Sequence, residues 1–291
     1  MINKAIIMAG GSGTRLRPTT LAINKHLIPI YDKPLIYYPL SLLMLIGIRN
    51  FLIIVNKKEK NDFKKLLGNG NNYGIKINYC EQKKPSGIPE AFVLGEKFIN
   101  NDSVALILGD NIFYGQGLIE IISSEKKISR GARIFSYPVR NPKQFGVIEI
   151  KKNKIVKLIE KPIKTKSNLA ITGLYFFDKN VSNIAKKLKP SKRNETEIID
   201  ILKNYHKQKK LYLTKLGRGS AWLDTGTVDN NLSSSNFVQV VEERQNYKIA
   251  CLEEIAFNKK WISKNKLIEI INKLVKCQYS NYLKKVINNS I

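Results

Sequence analysis

Residues 9–18 read AGGSGTRLRP and follow directly on the apolar run Ile6-Ile7-Met8. Gly10, Gly11 and Gly13 would let backbone N–H groups approach a phosphate chain closely, and Arg15 adds a permanent, planar positive charge. Taken alone, the stretch is equally compatible with an ordinary tight turn. Its spacing is neither the dinucleotide-binding GxGxxG nor the GxxxxGK(S/T) loop of ATPases, so neither of those mechanisms is implied.

Two carboxylates invite a metal reading. Asp110 closes the apolar run in LILGDN, where a buried carboxylate requires a cation or hydrogen-bond donors; a helix cap or Asx-turn is the plainer alternative. Asp224, in WLDTGT, could complete a pair of oxygen ligands for octahedral Mg²⁺, although Asp-Thr-Gly is also good turn chemistry. Histidine occurs only as His26 and His206, which argues against histidine-based acid–base or metal chemistry. Cys80, Cys251 and Cys277 lie far apart without a CxxC pair, so neither a disulfide framework nor a zinc site is indicated.

The elements that must position these residues alternate along the chain. Apolar runs bounded by turn signals at 4–9, 51–55, 75–79, 104–108 and 133–139 predict strands, with helical segments between them. KKEKNDFKKLLG ends on Gly68, and PEAFVLGEKFI opens with Pro89 at a first-turn position. Near-continuous Ile, Leu and Val strands suit a parallel sheet covered on both faces, and the glycine loop then sits at the ligand-binding, C-terminal end of the first strand. From Gly146, GVIEI-KKNK-IVKLIEK predicts a hairpin and LAITGLYFF another strand, mixing antiparallel pairs into the sheet. In NETEIIDILKNYHKQ, Asn194 is the expected helix N-cap with Glu197 three residues on, and the tail from Thr227 is expected to be helical. The fold class predicted is α/β: one doubly wound, mostly parallel but mixed sheet with helices on both faces and a C-terminal helical extension.

A chain of 291 residues with 43% hydrophobic residues can fill a sizeable core. The net charge of +27 raises the question of nucleic acid. Only nine of the 50 basic residues are arginine, however, and the lysines are scattered without an aromatic-interleaved stripe. We expect a solvated lysine surface and no specific nucleic-acid function. No stretch approaches the ~18 apolar residues of a membrane span. The absence of a basic-then-apolar opening adds to the expectation of a soluble, cytoplasmic protein without a membrane partner.

The continuous stretch GGSGTRLRPTTLAINKHLIPIYDKPLIYYPL resembles the signature of the sugar-phosphate nucleotidylyltransferases. GDNIFYG, EKP, TGLYFF, WLDTGT and CLEEIAF follow in the order and at about the spacing of the glucose-1-phosphate thymidylyltransferase branch, so the resemblance covers nearly the whole chain. It implies Mg²⁺-dependent transfer of a thymidylyl group from dTTP to α-D-glucose 1-phosphate, the first step of dTDP-L-rhamnose synthesis for surface polysaccharide, in a homo-oligomer, by resemblance a tetramer. A UTP-using hexose-1-phosphate uridylyltransferase and a catalytically weak sugar-nucleotide-binding regulatory protein are the alternatives.

By the same resemblance, one nucleotidyltransferase-type domain (1–291) comprises a nucleotide-binding half (1–145), a sugar-phosphate-binding half (146–226) and a helical extension (227–291). The resemblance gives Arg15, Lys25, Lys161 and Asp110 catalytic roles, and Asp110 with Asp224 the metal. Gly10, Gly11, Gly13, Thr14, Arg15, Lys25 and Asp110 are then expected at the nucleotide. Gln82 and Gly87, in EQKKPSGIPEAF, are expected at its base, and an amide offering donor and acceptor suits a pyrimidine edge. Asn111, Gly146, Glu160, Lys161, Ile171 and Arg193 are expected at the sugar phosphate. His26 stands where glutamine is usual and adds a titratable group near the expected phosphates; Phe145 stands where tyrosine is usual. Ile119 and Asn258 occupy positions where His and Arg are usual in a second, feedback-inhibition nucleotide site.

Overall fold

A computed structural model describes residues 1–84, 86–191 and 193–288. Its centre is a nine-stranded sheet. In spatial order the main path runs Lys154–Glu160, Gly146–Lys151, Leu169–Phe177, Val104–Leu108, Lys4–Met8, Asn50–Asn56, Lys76–Gln82. Ala132–Pro138 branches from Leu169–Phe177 and carries Leu211–Lys215 on its other side. The first strand is parallel to both neighbours, Ile6 standing level with Leu52 on one side and Leu106 on the other. Antiparallel pairing enters where Leu169–Phe177 lies against Val104–Leu108 and Ala132–Pro138, and in the hairpin that turns at Lys152-Asn153, both with positive φ, whereas Leu211–Lys215 runs parallel to Ala132–Pro138. The sheet is therefore mixed and mostly parallel around its centre, as expected.

Both faces of the central strands are buried, which is why the strands read as unbroken apolar runs rather than alternating ones. Ala5, Ile7, Phe51, Ile53 and Val55 enter one core with the Tyr37–Leu45 helix and the C-terminal helices. The intervening Ile6, Leu52 and Ile54 enter a second core with Ala91, Phe92 and the helix Ile198–Lys207. Period-two alternation thus divides each strand between two apolar layers.

The chain goes from the first strand to Asn50–Asn56 on one side and later returns to Val104–Leu108 on the other. The crevice beyond the carboxyl ends of these strands is the switch point where such sheets bind ligands. A separate two-stranded ribbon pairs Asn111–Gly115 with Ser220–Asp224, in register Asn111 to Asp224, at the mouth of this crevice.

Several helix limits differ from those predicted. Asn194 does not cap the following helix: it takes a left-handed φ of 57° in a turn closed by Ser191 and Glu195, and the helix starts at Ile198. Glu197 itself takes the N-cap position, but its carboxylate makes no capping bond and binds Arg193 and Ser191 instead. The segment from Pro89 breaks at Gly95 into Glu90–Leu94 and Glu96–Ile99. The tail is helical as expected, in Val228–Gln245 (capped by Thr227), Leu252–Asn258, Lys264–Lys273 and Gln278–Ile287; residues 289–291 of the expected extension lie outside the described residues.

Phe177 shows how the second core is held, with ring centroids 5.0 Å from Phe92 and 5.9 Å from Tyr205 and no exposed surface. Phe177→Ala should destabilise the chain by about 3–5 kcal/mol, read from urea-unfolding midpoints.

Candidate active site

The glycine loop is built by close approaches. Gly13 has φ 59°, and a Cβ there would lie 2.8 Å from Thr20 and 3.1 Å from Lys25, because the loop folds back on both. The Thr20 hydroxyl donates to the Gly13 carbonyl at 2.7 Å. A Cβ on Gly10 would lie 2.5 Å from Gln82 Oε1, whereas Gly11 faces open space. Thr14 begins the short turn Thr14–Leu16, which carries Arg15. The Arg15 Nη2 lies 2.7 Å from where a Gly226 Cβ would stand, which sets the guanidinium beside the Asp224-Thr225-Gly226 turn.

Across the crevice the two carboxylates meet. The ribbon register brings Asp224 level with Asn111, and Thr225 clamps the junction, donating its N–H (3.1 Å) and its hydroxyl (2.9 Å) to the Asp110 carbonyl. Asp110 accepts from Lys25 Nζ at 2.5 Å and from Asn111 Nδ2 at 2.9 Å. Burial, the largest single influence, pushes the Asp110 carboxyl up, but the Lys25 charge, the neighbouring His26 and the hydrogen bonds from Lys25 and Asn111 together outweigh it and hold the group well below the ordinary carboxylate range. Among the described residues no cation lies at bonding distance from Asp224, and its Oδ1 accepts from Gly226 N–H at 2.9 Å. Burial, then the Asp110 charge, pushes its carboxyl up to about 6.

A cavity of about 180 Å³ opens between these groups, its wall including Arg15, Asp110, Asn111, Gly146, Glu160, Lys161, Ile171 and Asp224. Lys161 has φ 40° and its N–H donates to the Phe145 carbonyl at 3.1 Å, tying the end of the hairpin to the cavity wall. Burial, then the Glu197 charge, raises the Glu160 carboxyl. Arg193 sits at the rim, 3.2 Å from Glu160 and 2.7 Å from Glu197. Lys25 reaches the site through Asp110, while Gln82, at the end of the Lys76–Gln82 strand, and Gly87, on the loop that follows, are not on the cavity wall. Gly87, with φ 110°, bridges to Thr196 so closely that a Cβ would lie 2.0 Å from the Thr196 carbonyl oxygen. Pro85 of the same loop lies outside the described residues.

Two expectations change in detail. Asn111, 2% exposed, spends its amide on the protein: Oδ1 accepts from Gly173 N–H (3.0 Å) and Trp222 Nε1 (2.6 Å), and Nδ2 donates to Asp110. His26 is not a titrating group near neutral pH, because burial, then the Lys25 charge, lowers it to about 3. Its Nδ1 lies 2.9 Å from Asn24 Oδ1, and its ring packs on Gly109. Trp222, Gln144 and Tyr175 also line the cavity and were not singled out in the sequence. Strand alternation offered a signal for Trp222, which shares the face of Asp224 two residues on.

The residues fit a hard divalent cation. Two partly buried carboxylates converge, one of them with no cation bonded to it among the described residues; this is an oxygen-only set that phosphate oxygens and waters would complete. No cluster of three or more His, Cys, Asp or Glu occurs among the described residues, which disfavours an all-protein metal cage. A larger cavity, about 740 Å³, lies elsewhere, between the Tyr37–Leu45 helix and the tail, and brings Ile119 and Asn258 onto one wall.

The family model described as nucleotidyl transferase matches residues 4–240, and the chain belongs to that family. It is 49% identical to a protein of Neisseria meningitidis named glucose-1-phosphate thymidylyltransferase, over 98% of this chain and 99% of the relative. A Bacillus anthracis structure in complex with sucrose superposes with a TM-score of 0.74 at 37% identity, covering 80% of this chain and 94% of the other. A UDP-glucose pyrophosphorylase complexed with UDP-glucose superposes with a TM-score of 0.73 at 26% identity, covering 83% and 100%.

The raised Asp224 carboxyl makes a stability prediction. Its folded-state value, about 6, lies above its ordinary 3.8, so the charged form opposes folding; the penalty is absent below pH 3.8 and grows as pH rises toward 6. Without divalent cations, Asp224→Asn should stabilise the protein at pH 7.5 by about 1–3 kcal/mol, and the gain should vanish near pH 4 in matched denaturation curves.

Proposed function

We propose that this chain is a glucose-1-phosphate thymidylyltransferase, joining dTTP to α-D-glucose 1-phosphate to give dTDP-glucose and pyrophosphate at the head of a deoxysugar pathway. The observation that carries the reading is one crevice in which a glycine loop with Arg15, the Lys25–Asp110 pair, Asp224 and the Glu160-Lys161 turn converge. The name of the 49%-identical relative supports the choice of dTTP and of glucose 1-phosphate.

In this reading residues 1–145 hold the nucleotide, 146–226 hold the sugar phosphate and 227–291 are the helical extension. Gly10, Gly11, Gly13 and Thr14 cradle the triphosphate. Gln82 and Gly87 meet the base. Gly146, Glu160, Lys161, Ile171 and Arg193 receive the sugar phosphate, Glu160 accepting from sugar hydroxyls, and Asn111 stands in the wall of the same cavity. The protein works in the cytoplasm and assembles as a tetramer.

The reaction requires a sugar-phosphate oxygen to attack the α-phosphorus in line while pyrophosphate leaves. That oxygen is already ionised, so no strong base is needed, and the burden falls on holding two anions together. Lys161, fixed by its bond to Phe145, neutralises the attacking phosphate. Arg15 faces the charge that gathers on pyrophosphate, and Lys25 moves between Asp110 and the triphosphate. Asp110 and Asp224 would hold Mg²⁺, which when bound supplies charge neutralisation at the phosphates. Asn111 acts chiefly by holding Asp110, Gly173 and Trp222 in one arrangement.

Arg15→Ala and Asp110→Ala should each lower kcat about 100-fold or more in a pyrophosphate-release assay with dTTP and glucose 1-phosphate, roughly 2.7 kcal/mol of barrier. Unchanged turnover in both would remove this mechanism.

A further inference from the structure

The amide of Gln82 can be placed in two senses, and the senses recognise different bases. Gln82 is 3% exposed at the end of the Lys76–Gln82 strand. Its Nε2 donates to Glu90 Oε2 at 2.5 Å, and the Ser86 hydroxyl donates to the same oxygen. A carboxylate has no proton to give, so Glu90 accepts only the amide NH₂ and forces the carbonyl to the opposite side. There Oε1 lies against Gly10 of the phosphate loop, where a Cβ would stand 2.5 Å from it, and no described residue donates to it.

The loop around this contact is itself anchored. The Ser86 carbonyl accepts from Thr196 N–H (2.8 Å) and from the Thr196 hydroxyl (3.0 Å), and Gly87 bridges to the same residue. Ser86 is thereby held within reach of Glu90, which opens the Glu90–Leu94 helix.

We propose that Glu90, oriented by Ser86, is a positioning residue for base selection: it locks Gln82 with its carbonyl oxygen toward the nucleotide. An acceptor so placed matches a pyrimidine that carries N3–H, as thymine and uracil do, and opposes cytosine, whose N3 is itself an acceptor. The inference rests on the proposed placement of the base at Gln82 and adds the group that sets the polarity of that contact. Glu90→Gln replaces an obligate acceptor by a group that can also donate, so Gln82 becomes free to turn over.

The test compares wild type with Glu90→Gln by kcat/KM for dTTP, dCTP and N3-methyl-dTTP, and by calorimetric binding of dTDP and dCDP. Wild type should prefer dTTP to dCTP and reject N3-methyl-dTTP. In the variant the preference for dTTP over dCTP should fall about tenfold or more, chiefly through KM, with kcat on dTTP within about threefold, and the dTDP-to-dCDP affinity ratio should fall in parallel. An equal loss for both bases, or wild-type use of N3-methyl-dTTP as good as that of dTTP, would overturn the lock without touching the reaction. Preferential dTDP binding that collapses in the variant, with no transfer to a sugar phosphate, would sustain the lock and remove the proposed reaction. Failure of wild type to prefer dTDP over dCDP would overturn both.

Discussion

The crevice depends on the confrontation of two partly buried carboxylates. Asp110 arrives at the end of a central parallel strand and Asp224 at the end of a ribbon strand, and the Asn111–Asp224 register brings them together. Left alone, such a pair would repel and move apart. The fold resists this by clamping both backbone and side chain: Thr225 binds the Asp110 main-chain carbonyl twice, and Asn111 binds the Asp110 carboxylate and ties it to Gly173 and Trp222. Lys25 neutralises one acid and leaves the other with its carboxyl raised. The result is a preorganised demand for positive charge at the place where a nucleotide's phosphates must be gathered.

That arrangement explains why the second half of the chain interrupts its own strand. In Leu169–Phe177 the pairing with Ala132–Pro138 shifts between Ile171 and Tyr175. Gly173 lies in this stretch, and a Cβ there would come within 2.5 Å of Asn111 Oδ1. The irregularity lets the Gly173 N–H reach Asn111 and leaves Ile171 on the cavity wall. Sheet regularity yields locally to the network that holds Asp110. The +27 surplus acts at longer range, as a diffuse field that raises encounter rates with anionic substrates without selecting among them.

The central strands were legible because burial on both faces leaves an uninterrupted apolar run, and Asp110 because a carboxylate closing such a run needs a partner. The glycine loop was legible in type but not in cause: Gly13 is required by Thr20 and Lys25, and Gly10 by Gln82, contacts between segments that no local pattern reveals. The same reason hid Thr225, Trp222 and Glu90, whose roles depend on strand pairing or on a loop folded against distant chain. The expected cap at Asn194 followed a sound local rule, but the Arg193–Glu197 ion pair engages the carboxylate that the capping box required. His26 looked titratable from its type alone; its burial, which the sequence does not display, removes that property near neutral pH.

In the proposed reaction this crevice joins a nucleoside triphosphate to a sugar 1-phosphate, with a thymine base preferred. That reaction is tested most directly by pyrophosphate release from the purified protein with Mg²⁺, crossing dTTP, UTP, ATP, CTP and GTP with several hexose 1-phosphates. Sustained release with dTTP and glucose 1-phosphate, above every other pair, is expected. Higher release with UTP would move the chain to uridylyl transfer, and no release from any pair would contradict the account.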